Sequence, residues 1–474
     1  MSSAKKRFWI KFVIVILILG GILGFTAWYH LFREVPTHFA SADENFKYGS
    51  LGNEQTDGIP YWIWLVLPRM FPEKLPGAGG YAALGLVWEE GKEVPVGISK
   101  KTIGFDRIAI NCAFCHSGTY RAEPKDKPTI VAGGASHQFN PQAYVRFLYA
   151  CASDPRFNAD NIMNEIGNVY KLSAVEKLLY RYVLIPQTKK ALLEQQAQFA
   201  WMDSRPNWGH GRIDPFNPIK FGILKQPMDD TIGNSDMVPL WNQKARAGMS
   251  LHWDGLNATE EEVVLSSAIG DGATKKYIER ENLARMKDWI MTLEAPKYPF
   301  PIKQEMVAKG EEIYKRDCAS CHAPGGENTG KVLAVETIGT DRHRLDMWTQ
   351  NAANAYNNYQ EDYKWGFNDF RKTNGYVSVL LDGIWMRAPY LHNGSVPSLV
   401  DLLETPDKRP LIFWRGYDVY DPEKVGFITS GDEAMRFGSK FETSAPGNSN
   451  AGHLWGTALS ADEKKALIEF LKTL

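Results

Sequence analysis

The chain has 474 residues, of which 44% are hydrophobic and 23% are charged; these are the proportions of a globular protein, not of a disordered or fibrous one. Its length is sufficient for two or three domains with full-sized cores. The formal net charge of −1 differs from the basic balance typical of nucleic-acid-binding proteins, so we expect no nucleic-acid partner.

The first thirty residues differ from the rest of the chain in composition. Basic residues at positions 5–11 precede an uncharged run of 18 residues from Phe12 to Tyr29. As a helix this run would span about 27 Å, close to the hydrocarbon thickness of a bilayer. A cleavable signal peptide is the alternative, but its apolar region is normally shorter, and the small-residue site at 40–42 lies well past the run. We therefore predict a cytoplasmic tip and a transmembrane anchor over residues 1–30, with the bulk of the chain beyond the membrane.

Four of the five cysteines belong to two copies of one short pattern. Residues 112–116 and 318–322 both read C-x-x-C-H, the attachment signal for c-type haem. The residues of the two motifs are Cys112, Cys115, His116, Cys318, Cys321 and His322. In such a motif both thiols add to the vinyl groups of haem, and the histidine is the proximal ligand of the iron. A zinc site would show a shorter gap between its C-x-x-C units, and a thioredoxin-like dithiol would need a βαβ context. We predict two covalently bound haem c groups, and a buried, unreactive Cys151.

The second motif lies in the frame of a cytochrome c domain. Residues 303–316 show helical spacing and lead directly into the motif, and Ser460 with Glu463 forms a capping box at the start of an amphipathic closing helix. We predict a cytochrome c domain over residues 303–474. Pro324 lies where the cytochrome c fold often holds its proximal histidine through a backbone carbonyl.

The first motif lies in a larger predicted domain. Residues 277–293 are predicted to form its closing helix, and a proline-rich linker follows at 295–301, which places this first haem domain at 45–298. Periodic stretches at 173–185 and 186–201 predict a helical insertion. Because strand-like alternation is scarce, the predicted fold is mainly α: a transmembrane helix followed by two cytochrome c-type haem domains with long loops.

Further haem-binding residues are predicted around the second motif. His453 lies in a Gly/Asn/Ser loop just before the closing helix, where a cytochrome c domain supplies its sixth ligand. His392 is interpreted as a ligand or as a hydrogen-bond partner at the haem edge, and Met386 and Met435 are weaker ligand candidates. Arg387 is interpreted as a propionate partner or as a surface charge. For the first haem the sequence offers no strong candidate for a sixth ligand.

Two segments resemble elements of the bacterial dihaem cytochrome c peroxidase superfamily. The segment His-Trp-Asp-Gly at 252–255 is similar to its F-W-D-G element, and the segment 387–395 is similar to its A-P-Y-x-H-D-G-S loop. Within the superfamily, the elements at 239–242, 251–255 and 448–453 most resemble the rubber oxygenase branch, which is also similar to periplasmic fatty-acid dioxygenases.

The resemblance implies roles for individual residues. His116 would be the proximal ligand of a haem with an open distal face, while His322 and His453 would be the two axial ligands of a closed, electron-transferring haem. Trp253 would lie between the haems as an electron relay; otherwise it is a core residue. The peroxidases carry a proton-transferring glutamate downstream of F-W-D-G, whereas the corresponding stretch here offers only Asp271.

Two classes of function follow from these predictions and remain open at this point. The first is a periplasmic, inner-membrane oxidoreductase that activates O₂ or H₂O₂ at the first haem, with an unsaturated lipid among the candidate substrates and a periplasmic electron donor or acceptor as partner. The second is a non-enzymatic electron carrier with two six-coordinate irons. The spin states of the two haems distinguish the two classes.

Overall fold

The protein is mainly helical in the computed structural model, which describes residues 3–359 and 366–474. In these ranges the α-helices, α1 to α17 in chain order, are Ser3–Leu31, Ala42–Tyr48, Tyr61–Met70, Pro141–Ser153, Ala159–Val169, Ala174–Leu179, Ile185–Gln198, Glu260–Gly270, Arg280–Ile290, Gln304–Asp317, Ala319–His322, Val335–Ile338, His343–Met347, Gln350–Asn357, Leu399–Leu402, Asp432–Phe437 and Ala461–Leu471. The predicted mainly α class is confirmed.

Short strands accompany the helices. They are, as β1 to β14 in chain order, Glu34–Val35, Ile59–Pro60, Ile98–Ile103, Phe105–Ile110, Ser117–Tyr120, Thr129–Ala132, Arg212–Ile213, Ser235–Asp236, Val332–Ala334, Gly375–Val377, Ile412–Arg415, Tyr420–Asp421, Gly426–Phe427 and Ser439–Glu442. The largest sheet is antiparallel, in the order β1-β3-β4-β2. The sequence pattern missed its β3–β4 hairpin because two consecutive lysines interrupt the alternation in β3. Lys100 pairs with Asp106 at 3.1 Å, and Lys101 pairs with Glu279.

Helix α1 is long and apolar enough to cross a membrane. Its segment Lys5–Leu31 has a mean hydropathy of 2.5, and none of it is buried against the rest of the chain. Such a helix is either an anchor or a signal sequence. Strand β1 begins at Glu34 and pairs with the end of β3, so the chain joins the body directly after the helix.

An aromatic core fills the N-terminal half around the first motif. Trp64 stacks on Tyr81 with ring centroids 4.4 Å apart, and its indole N–H donates to the Tyr144 hydroxyl at 3.1 Å. Cys151 lies in this core with 0% of its surface exposed, as predicted. The predicted helical insertion is one long helix, in which the π-helical segment Tyr180–Leu184 joins α6 to α7.

The C-terminal half is organised by the crossing of α10 and α17. At the crossing Gly310 allows close approach, since a Cβ there would lie 2.0 Å from the Ala466 carbonyl oxygen. The predicted capping box is present: the Ser460 hydroxyl accepts from the Glu463 amide at 3.3 Å, and the Glu463 carboxylate accepts from the Ser460 amide at 3.0 Å. Both helices flanking the second motif are therefore placed as the sequence indicates.

The two halves of the chain are in direct contact. Arg121 forms an ion pair with Asp418, which also accepts from the Thr119 hydroxyl at 2.9 Å. The predicted linker is packed between the halves, where Phe300 stacks on Tyr420 with centroids 5.3 Å apart and planes 7° apart. The division into domains at 45–298 and 303–474 stays a prediction.

Candidate haem-binding sites

The first C-x-x-C-H motif forms a single helical turn directly after β4. Asn111 caps the turn, since its side chain accepts from the Ala113 amide at 3.0 Å and donates to the Gly49 carbonyl at 2.9 Å. The His116 amide donates to the Cys112 carbonyl at 3.1 Å. Cys112 and Cys115 form no disulfide, and burial raises the pKa of Cys112 to about 12. The turn thus presents two neutral thiols and an imidazole from five consecutive residues.

The ring of His116 has its orientation fixed by a backbone carbonyl. Its Nδ1 lies 2.7 Å from the carbonyl oxygen of Val238, and because a carbonyl only accepts, the proton lies on Nδ1. The other nitrogen, Nε2, is left for a metal. Burial lowers the pKa of His116 to about 4, so the ring is neutral at pH 7, as a metal ligand must be.

The second motif repeats this arrangement at the end of α10. The His322 amide donates to the Cys318 carbonyl at 3.0 Å, and His322 Nδ1 lies 2.6 Å from the carbonyl oxygen of Val379. The expectation that a carbonyl near Pro324 holds this ring was wrong. Strand β10 ends beside the motif, and the loop after it brings the Val379 carbonyl to the ring instead.

His453 lies opposite His322 at the distance that a shared iron requires. Their ring centroids are 6.2 Å apart. When two imidazoles bind one iron from opposite sides, each nitrogen lies about 2.0 Å from the metal and each ring centre about 1.1 Å beyond its nitrogen. The expected distance between the two ring centres is therefore about 6.2 Å. Met435 is 45% exposed, and Met386 is directed toward Gly118 in β5, so the geometry favours His453 over either methionine.

The loop that carries His453 is held tightly. The residue has φ = +49°, and its amide donates to the Ile338 carbonyl at 2.9 Å. Burial, and after it the neighbouring His322, lowers the pKa of His453 to about 4, so this ring too is neutral. Within the described ranges, His116 has no ring contact of the kind that joins His322 to His453. The two sites are therefore alike in their motifs and different on their distal sides.

Trp253 connects the two backbone segments that hold the proximal histidines. Its indole N–H donates to the Asp236 carbonyl at 2.8 Å, and Asp236 is two residues before Val238. Its own carbonyl accepts from the Val377 amide at 2.8 Å, and Val377 is two residues before Val379. The side chain is partly buried and packs on the cluster that contains Tyr376. Trp253 is thus hydrogen-bonded to both segments that hold the proximal histidines, and its role as a relay between haems stays a prediction.

Asp271 lies close to the first motif, at the end of α8. Burial raises its pKa to about 7, and its charge contributes to the raised pKa values of Cys112 and Cys115. The Asn53 side chain donates to the Asp271 carbonyl at 2.8 Å and to the Ile110 carbonyl at 2.9 Å, which fixes the end of α8 against the strand before the motif. A carboxyl group that titrates near neutrality therefore lies beside the first site.

Arg387 and His392 are both buried in the C-terminal half. Arg387 forms a salt bridge with Asp382 at 3.2 Å. Burial, and to a smaller extent the charge of Arg387, lowers the pKa of His322. With 11% of its side chain exposed, Arg387 is no surface charge. His392 stacks on Tyr376 with centroids 4.0 Å apart, and its Nε2 has no hydrogen-bond partner in the described part of the chain. Arg387 is thus near the second motif. His392 instead lies by the segment around Asp236, and its carbonyl accepts a hydrogen bond from the Asp236 amide at 2.8 Å.

A buried charge network beside Trp253 was missed by the sequence reasoning. Arg344 donates to Asp254 at 3.1 Å and to the Ser235 hydroxyl at 2.7 Å, and Arg415 pairs with Asp236. Together with Arg212 the network has three guanidinium groups, each 2% exposed, against two carboxylates. The partners are 90 and 179 residues apart in the chain, so no local motif announces them.

The charge network and the two histidine sites are consistent with bound haem. The Nε atoms of Arg344, Arg387 and Arg415 are buried and lack hydrogen-bond partners in the described residues. Buried guanidinium groups that keep a free Nε–H beside their ion pairs suit the anionic propionates of a haem. Four cysteines that form no disulfide and two imidazoles held through Nδ1 complete the set of groups that could bind haem.

Comparison with known proteins places the second motif in a cytochrome family. A cytochrome c family model matches residues 307–384, and a model described as RoxA-like, cytochrome c-like matches residues 375–415. Two relatives come from Sinorhizobium fredii (strain NBRC 101917 / NGR234). Uncharacterized protein y4iJ is 48% identical over 108 residues, which is 21% of this chain and 18% of the relative. Uncharacterized protein y4iM is 27% identical over 314 residues, which is 56% of this chain and 67% of the relative.

The matched residues include the second motif, with its attachment cysteines and proximal histidine, and the strand that precedes Val379. Covalent haem c is what a cytochrome c domain with this motif binds. The matched residues, 307–415, thus indicate a c-type cytochrome domain that binds haem and acts in redox chemistry or electron transfer, and they are similar to the RoxA-like cytochromes.

Proposed function

We propose that this protein is a membrane-anchored, periplasmic dihaem oxidoreductase that activates O₂ or H₂O₂ at the first haem and exchanges electrons through the second. Each of the predicted domains, 45–298 and 303–474, would carry one haem c. The observation that carries the proposal is a difference in histidine partners: the ring of His453 lies 6.2 Å from that of His322, whereas no second ring of this kind lies by His116 in the described part of the chain. A closed iron transfers electrons, and an open one binds small ligands.

The side chains around the first site support a reactive centre. Haem c, when bound, supplies an iron that changes between the ferric and ferrous states. The Val238 carbonyl holds the His116 ring in the tautomer that directs Nε2 to the iron. Asp271, with its pKa raised to about 7 by burial, can hold a proton or release one near this site at physiological pH. Asp271 thereby takes the place of the glutamate that the peroxidases carry.

The contacts of Trp253 support an electron route between the two haems. Its two hydrogen bonds, each of 2.8 Å, link the segment that holds His116 to the segment that holds His322. An aromatic ring at this position shortens the gap that an electron must cross. A periplasmic donor or acceptor would then exchange electrons at the second haem, and the substrate, O₂ or H₂O₂ with an unsaturated lipid as candidate co-substrate, would react at the first.

A count of haem spin states tests the proposal. In the purified holoprotein we expect one high-spin and one low-spin iron by EPR and optical spectroscopy, and one CO bound per chain after reduction. Two low-spin irons that bind neither CO nor peroxide would refute the proposal and would support the non-enzymatic electron carrier. Oxygen uptake with an unsaturated fatty acid, compared with peroxide-dependent oxidation of a reduced cytochrome, then separates oxygenase from peroxidase.

A further inference from the structure

The long helix formed by α6, the π-helical segment and α7 carries an apolar face toward solvent. Val175, Leu178, Tyr182 and Val183 are 40%, 61%, 69% and 43% exposed. Their spacing of three, four and one residues places them on one side of the helix. The opposite side, with Tyr180 and Leu184, is buried in the N-terminal core. The helix thus has a second apolar face that no other described part of the chain covers, here called the outer stripe.

A series of contacts connects the helix that carries the outer stripe to the hairpin at the end of α1. Tyr170, at the end of α5, is 39% exposed and stacks on Trp62 of α3 with centroids 4.0 Å apart. Helix α3 in turn meets the β3–β4 hairpin, where the Lys100 ammonium lies 4.2 Å from the centre of the Tyr61 ring. Burial, followed by the charge of Asp106 in this hairpin, raises the pKa of Tyr180.

The end of α1 is fastened to the same hairpin by a very short connection. Only two residues separate Leu31, the end of α1, from Glu34, the start of β1. The Gly104 amide donates to the Arg33 carbonyl at 2.7 Å, and a Cβ at Gly104 would lie 2.4 Å from the His30 carbonyl oxygen. Two extended residues span at most about 7 Å. A bilayer that holds α1 therefore begins within a few ångströms of this hairpin.

The charges and apolar groups around this region match a lipid interface. Phe32 is 67% exposed directly after α1, and Lys171 and Lys177 are exposed beside the outer stripe. A helix with apolar side chains flanked by basic ones is the type that lies in the headgroup region of a bilayer with anionic lipids. Glu176 does not oppose this arrangement, because its carboxylate is used in the capping box with Ser173.

We propose that the outer stripe is a second membrane contact, which lies in the headgroup region of the same bilayer that holds α1. The inference rests on the anchor in the proposed function, because α1 must be embedded for the stripe to reach lipid. The occupant is the bilayer itself, with anionic headgroups at the basic side chains. Two contacts, one spanning and one in the interface, fix the orientation of the cytochrome body on the membrane, which a single helix would leave free to rotate.

Fluorescence quenching in nanodiscs tests this contact on the full-length holoprotein. A bimane label is placed on single variants Ile18→Cys, Tyr182→Cys and Leu411→Cys. Leu411 is a matched control, since at 65% exposed it resembles Tyr182 at 69% but belongs to the C-terminal half. Nanodiscs of phosphatidylethanolamine and phosphatidylglycerol carry bromine on the acyl chains. We expect the brominated lipid to quench the labels at Ile18 and Tyr182 and to quench the label at Leu411 at most slightly. Aqueous iodide should quench the label at Leu411 most strongly.

The outcomes separate this inference from the anchor. Quenching by lipid at Ile18 but not at Tyr182 overturns the second contact and leaves the anchor in place. Absence of lipid quenching at Ile18 overturns both. If the label at Tyr182 disturbs folding, as judged by haem content, Leu178→Cys reports on the same face. Protection of Tyr182 from iodide without quenching by lipid identifies a second copy of the protein as the occupant and overturns the proposal.

Discussion

Replacement of His453 by alanine is the most direct test of the second haem site. The centroid distance of 6.2 Å between His322 and His453 equals the sum expected for two imidazoles on one iron. If both rings bind one iron, removal of one of them would leave that iron with a single histidine ligand. We expect this haem to change from low spin to high spin, because water is a much weaker ligand than imidazole.

The expected change in CO stoichiometry follows from the number of haems. In the wild-type protein one of two irons is open under the proposed arrangement, so CO binds with a stoichiometry of one per chain. In His453→Ala both irons are open, and the stoichiometry should rise to two while the low-spin EPR signal disappears. Truncation of this half-buried ring should also lower the free energy of unfolding, by about 0.5–3 kcal/mol.

Reduced-minus-CO difference spectroscopy and EPR on the same sample measure both effects. His343→Ala is the control, because His343 is 44% exposed and its ring pairs with the nearby Asp341 at 2.9 Å. If His453→Ala keeps one CO per chain and its low-spin signal, His453 is no ligand and the distance argument is refuted. His453→Met supplies a thioether at the same position and should restore low spin with a higher reduction potential.

Four further predictions address the other parts of the two sites. Cys115→Ala should prevent full covalent attachment at the first motif, and a haemochrome assay should then find less than the two haems per chain that we expect for the wild type. Asp271 ionises as the pH rises through about 7, and its carboxylate stabilises ferric iron. The reduction potential of the first haem should therefore fall in this pH range, by up to about 59 mV per pH unit. The potential of Asp271→Asn should not change in this range. Trp253→Phe should slow electron transfer between the haems after flash reduction while both haem spectra stay unchanged. Arg344→Met leaves Asp254 buried without its 3.1 Å partner and should lower the free energy of unfolding by about 3–5 kcal/mol.

Matched variants make these results interpretable. Arg342→Met removes an exposed ion pair with Glu336 and should leave the stability nearly unchanged. Trp289→Phe changes an indole that packs on Phe46, remote from the contacts of Trp253. Equal transfer rates in the Trp253 and Trp289 variants would contradict the relay, and a pH-dependent potential that persists in Asp271→Asn would assign the titration to another group.

Much of the local structure could be predicted from the sequence. The C-x-x-C-H pattern, the Ser460 capping box and the periodicity before Cys318 are local signals, and each appears in the structure where the sequence places it. Local signals suffice for these features because their hydrogen bonds join residues three or four positions apart. The assignment of His453 depended on its loop and on family resemblance, and the structure adds the distance to His322.

The remaining features depend on contacts between distant parts of the chain. The carbonyl that holds His322 belongs to Val379, 57 residues away, and the one that holds His116 belongs to Val238, 122 residues away. A backbone carbonyl has no sequence signature, so neither partner could be identified in advance. The hairpin β3–β4 was missed for a different reason, since Lys100 and Lys101 are held by ion pairs and not by an apolar face.

The packing of the two halves of the chain has a kinetic consequence. Phe300, which contacts both Tyr120 and Tyr420, and the ion pair of Arg121 with Asp418 join the halves through partly buried contacts, so we expect packing to fix the distance between the two motifs. Electron tunnelling depends steeply on that distance, and a fixed distance does not vary with domain motion. Under the proposed arrangement, the internal transfer rate is governed by driving force and reorganisation energy and is independent of solvent viscosity.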